Sequence, residues 1–309
     1  METLAVVLQA PERLALSRLA LSAPGENDVV VDVEWSGIST GTERLLWSGR
    51  MPPFPGMGYP LVPGYESVGR IRDAGSASGA RVGERVFVPG ARCFGDVRGL
   101  FGGAAARVVV PGARVTPVRE DLGEDAVLLA LAATAHHALA GGLPELIVGH
   151  GVLGRLLARL AVVLGGAPTI WERNPDRVGG AQGYAVVDPV DDPRRDYRTI
   201  CDVSGDAGLL DTLVQRLSPG GEIVLAGFYA EPLSFAFPPA FMREARIRVA
   251  AEWKQPDLAA VTDLLEAGRL SLDGLITHRR AATDADAAYR TAFGDPACLK
   301  MVLDWRTCS

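Results

Sequence analysis

Histidine, cysteine and clustered positive charge are scarce in this 309-residue chain, and each scarcity removes a class of function. The four cysteines, Cys93, Cys201, Cys298 and Cys308, are far apart, with no C-x-x-C pair and no Cys/His cluster. Neither a disulfide framework nor a structural zinc knuckle is indicated. Asp and Glu (37) outnumber Lys and Arg (31), giving a net charge of −6, which argues against nucleic acid as a partner. No apolar run reaches the roughly 18–20 residues of a membrane span, so no integral membrane segment is expected. The opening residues, Met1 to Val7, lack a basic leader and read as a first strand. A cytoplasmic protein is the expectation, with room in 48% hydrophobic residues for two cores.

What the chain does contain is Leu146-Ile147-Val148-Gly149-His150-Gly151-Val152-Leu153-Gly154, an apolar helical stretch, and then Thr169-Ile170-Trp171-Glu172. A strand entering G-x-G-x-x-G, a helix leaving it and an acid closing the next strand form the dinucleotide-binding fingerprint. Gly149 allows the tight turn, Gly151 lets backbone approach a pyrophosphate, and Gly154 lets the helix pack on its strand. The helix N-terminus, from Val152 and Leu153 onward, offers free N–H groups and partial positive charge to phosphates. Glu172 lies 18 residues after Gly154, where a carboxylate accepts from an adenosine ribose and repels a 2′-phosphate. The cofactor expected is NAD, although Arg173 next door keeps NADP open.

Residues 1–121 are β-rich and punctuated by Gly and Pro. Strands are expected over 28–35, 67–71, 85–88 and 106–110, with turns at Pro63-Gly64, Pro89-Gly90 and Pro111-Gly112. From 122 to 275 helices and strands alternate. Helices are expected over 126–140, 155–164, 208–217 and 257–268. Strands are expected at 146–148, 169–171, 185–187, 199–203 and 222–226, the last after a Pro219-Gly220-Gly221 turn. Such alternation gives a doubly wound parallel sheet, so the fold class is α/β. Residues 276–309 read as a return to the first domain, with a helix over 285–293.

The order of these parts resembles the medium-chain dehydrogenase/reductase superfamily over essentially the whole chain. Gly37-Ile38-Ser39, Val62-Pro63-Gly64-Tyr65-Glu66-Ser67-Val68-Gly69, Arg81-Val82-Gly83-Glu84-Arg85-Val86, Asp202-Val203-Ser204-Gly205, Leu217-Ser218-Pro219-Gly220-Gly221-Glu222 and Ile276-Thr277-His278-Arg279 carry the likeness. The resemblance implies a GroES-like β-rich catalytic domain beside a Rossmann domain, with Ser204, Gly205 and Gly227 also at the cofactor. Zinc-dependent members carry Cys and His where this chain has Ser39 and Tyr65, and alignment puts Ala130 at their third ligand. Their four-Cys loop would fall near residues 92–103, which hold only Cys93. Ser, Tyr and Ala cannot hold Zn²⁺, so no metal is expected. Gly37 to Glu43 and Gly58 to Glu66 further resemble a subfamily that oxidises the 3-(1-hydroxyethyl) group of a chlorin to 3-acetyl with NAD, in bacteriochlorophyll synthesis. A tetrapyrrole substrate follows from that resemblance, and a homo-oligomer is compatible with it.

Without a metal, removing the hydroxyl proton needs a positioned base or relay. Candidates are Thr42, Glu43, Tyr65, Glu66, His136 and His137, with Glu43 and Tyr65 first. Each has a structural alternative: Thr42 and Glu43 suit a capped first helical turn, Glu66 an ion pair, and the histidines a helix on which at most one faces the cleft. His278 reads as structural. Ser39, Thr40, Trp47, Phe54, Met57 and Tyr59 are the substrate-contact candidates, because the Pro-rich segment 51–60 offers aromatic faces and adaptable methionines to a large flat ligand. It equally suits an ordinary loop, and Trp35 joins Trp47 at the cleft or, as core packing, lies away from it. A conjugated macrocycle would delocalise the positive charge that develops as hydride leaves, which lessens the need for an electrophile. Two other functions share the fingerprint: a zinc-free enoyl or quinone reductase using NAD(P)H, and a non-catalytic nucleotide-binding protein.

Overall fold

The computed structural model describes residues 1–308. The chain opens with β1 (Glu2–Ala10), β2 (Arg13–Ala20) and the long β3 (Asp28–Ile38), followed by the short helix α1 (Thr42–Ser48). Then come β4 (Leu61–Val62), β5 (Ser67–Ala74), β6 (Arg85–Val88), β7 (Arg98–Gly99), β8 (Arg107–Pro111) and β9 (Thr116–Pro117). Alternation follows through α2 (Leu129–Ala138), β10 (Leu146–Val148), α3 (Val152–Val163), β11 (Thr169–Trp171), β12 (Ala185–Val187) and β13 (Tyr197–Asp202). It continues with α4 (Leu210–Arg216), β14 (Leu217–Leu225), α5 (Phe237–Met242), β15 (Arg246–Val249) and α6 (Gln255–Glu266). The tail supplies β16 (His278–Ala281), α7 (Ala285–Gly294) and β17 (Met301–Asp304).

Two compact units result: residues 1–130 together with the chain from 275 onward, and residues 131–274. The first division falls inside α2 and not at the residue 121 boundary expected from the change of pattern. In the first unit β3 is the central strand. One of its edges carries β5, and the other is shared end to end by β8 along Asp28–Asp32 and by β17 along Trp35–Ile38. Covered on both edges, β3 buries Val29, Val30, Val31 and Val33 in a core that also takes Ala288, Tyr289, Leu303 and Trp305 from the tail. At about 25 cal/mol per Å² of apolar area, these tail residues stabilise the same core as the first strands. Trp305 donates its indole N–H to Ser36 Oγ at 2.8 Å, and that satisfies both polar groups inside the core.

The second unit is a six-stranded parallel sheet in the order β12-β11-β10-β13-β14-β15. Its order reverses between β10 and β13, the place where open α/β sheets leave a crevice for ligands. Several boundaries differ from the sequence reading. Helix α3 starts at Val152, because Gly151 already serves as its N-cap. The stretch expected as one helix over 126–140 is split, with a 3₁₀ segment (Glu120–Leu128) preceding α2. The Pro219-Gly220-Gly221 turn is a bulge inside β14: pairing with β13 begins at Tyr197–Leu217 and resumes only at Thr199–Glu222. Gly220, at φ +73°, absorbs the bend. Among the described residues no helix is long and apolar enough to cross a membrane.

Candidate active site and cofactor turn

In the second unit the glycine turn is built as its residue types require. Gly149 sits at φ +104°, where a side chain would be strained. A Cβ on Gly154 would collide with the Gly149 carbonyl oxygen, so the turn and the first coil of α3 touch backbone to backbone. A Cβ on Gly151 would meet nothing within 4 Å. That space lies in front of the helix N-terminus. Ser204 lies against Gly149, and Gly205 against Gly227, so the ends of β10, β13 and β14 bring these four together. Beneath them the buried Asp202 accepts from the Ser204 backbone N–H and the Tyr229 hydroxyl, each at 2.9 Å. Burial raises its pKa, and the hydrogen bonds from Ser204 pull it back.

Glu172, directly after β11, accepts from the His150 backbone N–H at 3.0 Å and from the Asn174 N–H at 2.8 Å. Sequence reasoning missed what surrounds it. The His150 ring is buried, with Nδ1 2.6 Å from the Arg177 carbonyl and Nε2 2.9 Å from the Tyr184 hydroxyl. A carbonyl only accepts, so Nδ1 carries the hydrogen and Nε2 accepts from Tyr184. Burial lowers the pKa of this imidazole to about 4 and keeps it neutral. Arg155 of α3 reaches back to the His150 carbonyl at 3.0 Å. The turn is therefore fixed from β11, from α3 and from the segment before β12.

His136 and His137 stand in the same unit. Neighbours on a helix point about 100° apart, yet both rings direct Nδ1 to Asp257, at 2.8 and 2.9 Å. The Asp257 carboxylate also accepts the Lys254 N–H at the start of α6. The pair ties α2 to α6, and both rings fit the structural alternative of a satisfied histidine, with the Nδ1 of the candidate base His136 taken up by that tie.

In the first unit the end of β3 and the start of α1 carry the candidate side chains. Tyr65 donates its hydroxyl to Ser39 Oγ at 2.7 Å and is also hydrogen-bonded to the Thr42 side chain. Its ring stands edge-on to Phe101, with centroids 5.4 Å apart. Burial and the nearby Glu66 push the phenol pKa up, so it stays protonated. Behind this hydroxyl group lie two buried carboxyls. Glu43 Oε1 accepts the Ser39 backbone N–H at 3.2 Å and Oε2 accepts the Tyr289 hydroxyl at 2.7 Å. Burial raises its pKa to about 7 against the pull of the Tyr289 bond. Glu66 Oε2 receives Lys300 Nζ at 2.6 Å, while Oε1 has no hydrogen-bond partner.

Three sequence expectations change here. Thr42 does not cap α1: Gly41 holds the N-cap position without a side-chain bond, and Glu43 reaches back instead. Glu43 is fully buried with both oxygens occupied, and Glu66 is fully buried against Lys300, so neither stands open to a substrate hydroxyl. Trp47 is likewise corrected from substrate contact to packing, since its ring lies 5.6 Å from Phe293 against the core. Thr40, Phe54, Met57 and Tyr59 remain partly accessible, and the Tyr59 hydroxyl ties its loop to the Leu46 carbonyl of α1. His278 places Nδ1 2.9 Å from Thr277 Oγ1, a local structural contact. Tyr289 and Lys300 escaped sequence reasoning. A single Lys in the apolar run from Cys298 to Leu303 was the signal available for one of them. Among the described residues no three His, Cys, Asp or Glu side chains are grouped to hold a metal ion.

Comparisons with known proteins agree with this architecture. Residues 25–120 match the alcohol dehydrogenase GroES-like domain. The 2-desacetyl-2-hydroxyethyl bacteriochlorophyllide A dehydrogenase of Rhodobacter capsulatus is 59% identical over 311 aligned residues, covering 99% of both chains. The protein of the same description from Cereibacter sphaeroides is 56% identical, again over 99% of both. Among solved structures, a short chain alcohol dehydrogenase from Escherichia coli complexed with NADH superposes with a TM-score of 0.83 at 22% identity. That match covers 98% of this chain and 99% of the other. The chain belongs to the medium-chain dehydrogenase/reductase family, and within it to the hydroxyethyl bacteriochlorophyllide dehydrogenase group that the first two relatives represent.

Proposed function

We propose that this protein oxidises the 3-(1-hydroxyethyl) group of a bacteriochlorophyllide to 3-acetyl, with NAD, as a step of bacteriochlorophyll synthesis. The observation that carries the reading is the full-length identity of 59% and 56% to two dehydrogenases described by that substrate. Support for the cofactor comes from the open space at Gly151, the N-terminus of α3 and the Glu172 carboxylate beside the turn. Gly149, Gly151, Val152, Leu153, Gly154, Ser204, Gly205 and Gly227 would line it, and Glu172 with Arg173 would meet the adenosine ribose. When bound, NAD supplies the acceptor for the hydride leaving the alcohol carbon.

The hydroxyl proton is the protein's task. In this reading Tyr65 contacts the substrate oxygen. Its phenol is neutral, so it works as a relay: it takes the substrate proton on Oη while passing its own along its hydrogen bonds to Ser39 Oγ and the Thr42 hydroxyl, and one proton leaves to solvent from the partly exposed Thr42. No thiolate or imidazole stands at Ser39, Tyr65 or Ala130, and this reading uses no zinc. Thr40 and the segment carrying Phe54, Met57 and Tyr59 are assigned to the macrocycle. The test is direct. Purified protein with NAD and a 3-(1-hydroxyethyl) bacteriochlorophyllide should form NADH and shift the pigment's red band in equal amounts. Unchanged spectra with NAD and with NADP would remove the proposal, and faster turnover with NADP would remove the cofactor assignment.

A further inference from the structure

Two buried ionisable groups hold one peptide unit. The Ile38 carbonyl accepts from Lys300 Nζ at 3.3 Å, and the N–H of the same peptide, on Ser39, donates to Glu43 Oε1 at 3.2 Å. Each group has its own fully buried partner: Glu66 for Lys300 and Tyr289 for Glu43. All four side chains are at most 1% exposed. Such a cluster costs desolvation energy on every member. Apolar residues of similar size would fill the same volume at lower cost, so packing alone does not account for it. The one feature both arms share is the peptide that carries Ser39, whose Oγ accepts the Tyr65 hydroxyl at 2.7 Å.

We infer that Tyr289 and Lys300, with Glu43 and Glu66, are positioning residues that hold the Ile38–Ser39 peptide and thereby aim the Ser39–Tyr65 hydroxyl pair. This rests on the proposed reaction, in which Tyr65 relays the substrate proton. The peptide joins the end of β3 to α1, where no ladder hydrogen bond fixes Ser39: pairing with β17 ends at Ile38–Met301. The side chains replace the missing ladder. Tyr289 comes from α7 and Lys300 from the residue before β17, so the tail of the chain sets the angle of a hydroxyl that belongs to the first third. The titratable groups facing Glu43 are Tyr289 from α7, Glu66 and Tyr65 from the β4–β5 connection, and Lys300 from the tail.

The experiment compares Tyr289→Phe, Glu43→Gln and Tyr65→Phe, singly and in pairs, in the full-length protein with NAD and the hydroxyethyl bacteriochlorophyllide. Tyr289→Phe removes one hydroxyl, and Glu43→Gln leaves a single neutral oxygen for the two donors that the carboxylate holds, the Ser39 N–H and the Tyr289 hydroxyl. Each should lower kcat by roughly 10- to 100-fold while KM for both substrates stays within about twofold, as expected for misplacement of a reacting group. Neither should lower it further once Tyr65 is Phe, because the loss runs through that hydroxyl. With Glu43 raised to about 7, the kcat–pH profile should carry an inflection near neutral that moves upward when the Tyr289 bond is removed and disappears in Glu43→Gln. Additive losses in the double variants, or wild-type kcat in both singles, would overturn the inference. If one single variant does not fold, the other and its pairing with Tyr65→Phe decide. A wild-type protein with no turnover at all speaks instead against the proposed reaction, and a fully active Tyr65→Phe against the relay.

Discussion

Glu172 Oε2 accepts the backbone N–H of His150 at 3.0 Å, so the acid assigned to the ribose also braces the glycine turn assigned to the pyrophosphate. Glu172→Ala should therefore do two things. Cofactor discrimination should move toward NADP, since a carboxylate no longer opposes a 2′-phosphate while Arg173 remains. NAD affinity should also fall about tenfold, the size of one charge-assisted hydrogen bond lost from the turn. Fluorescence titration with both cofactors checks this, and an unchanged NAD/NADP ratio would contradict it.

Gly151 and Gly154 separate cofactor binding from folding. A side chain on Gly151 meets open space in the protein, whereas one on Gly154 meets the Gly149 carbonyl. Gly151→Val should lower the melting temperature only slightly, from the poorer cap of α3, and lose cofactor binding. Gly154→Ala should destabilise the fold itself, by about 1–3 kcal/mol for an overpacked contact. Calorimetry beside a binding titration distinguishes the two, and a stable Gly151→Val protein that still binds NADH would locate the phosphates elsewhere.

Tyr65→Phe should lower kcat by about 10²–10⁴-fold, the usual worth of a proton-transfer group, with little change in NAD affinity. The ring contact with Phe101 survives the change, so loss of folding is not expected. Turnover above about a third of wild type would mean that the proton leaves by another route.

Lys300→Met should cost about 3–5 kcal/mol, because it strands the Glu66 charge in the core. Adding Glu66→Leu should recover much of that stability. Urea denaturation of the wild type, the single variant and the double variant tests it. A double variant no more stable than the single would show that the pair is not isolated from its neighbours.

Glu43 makes stability depend on pH. Its pKa is raised to about 7 in the folded protein from an ordinary 4.5, so the folded state favours the protonated form. Its contribution is fully present below pH 4.5 and is lost as pH rises through 7. Glu43→Gln, which cannot ionise, should gain on the wild type across that window, by up to about 3 kcal/mol at its upper end. Melting curves from pH 5 to 8 measure the difference, and parallel curves would show that Glu43 titrates normally.

How much of this was written in the sequence depends on the reach of each rule. The turn from Gly149 to Gly154 was legible because its glycines answer to backbone geometry, which acts within a few residues. Strands such as 146–148 and 169–171 were legible because apolar runs between turn residues have few alternatives. The β14 bulge was not, since Pro-Gly-Gly signals a bend without saying whether pairing resumes beyond it. Glu43 was named as a candidate base, but its buried setting lay beyond local reasoning: its partner Tyr289 is 246 positions away, and Tyr289 reads only as one more large residue on an amphipathic helix. Ser39 and Tyr65 were named as candidates separately, but no spacing rule joins positions 26 apart.

The first unit closes only when both ends of the chain are present, because β17 fills the edge of β3 beside Ile38 and Trp305 donates to Ser36. The second unit is one uninterrupted stretch. During synthesis, which proceeds from the N-terminus at about 5–20 residues per second, residues 131–274 have all of their own core available before β17 emerges. Residues 1–130 must wait for it with half an edge of β3 uncovered. A nascent chain that stops before β17 would thus carry a formed cofactor crevice and an incomplete β unit whose open strand invites aggregation.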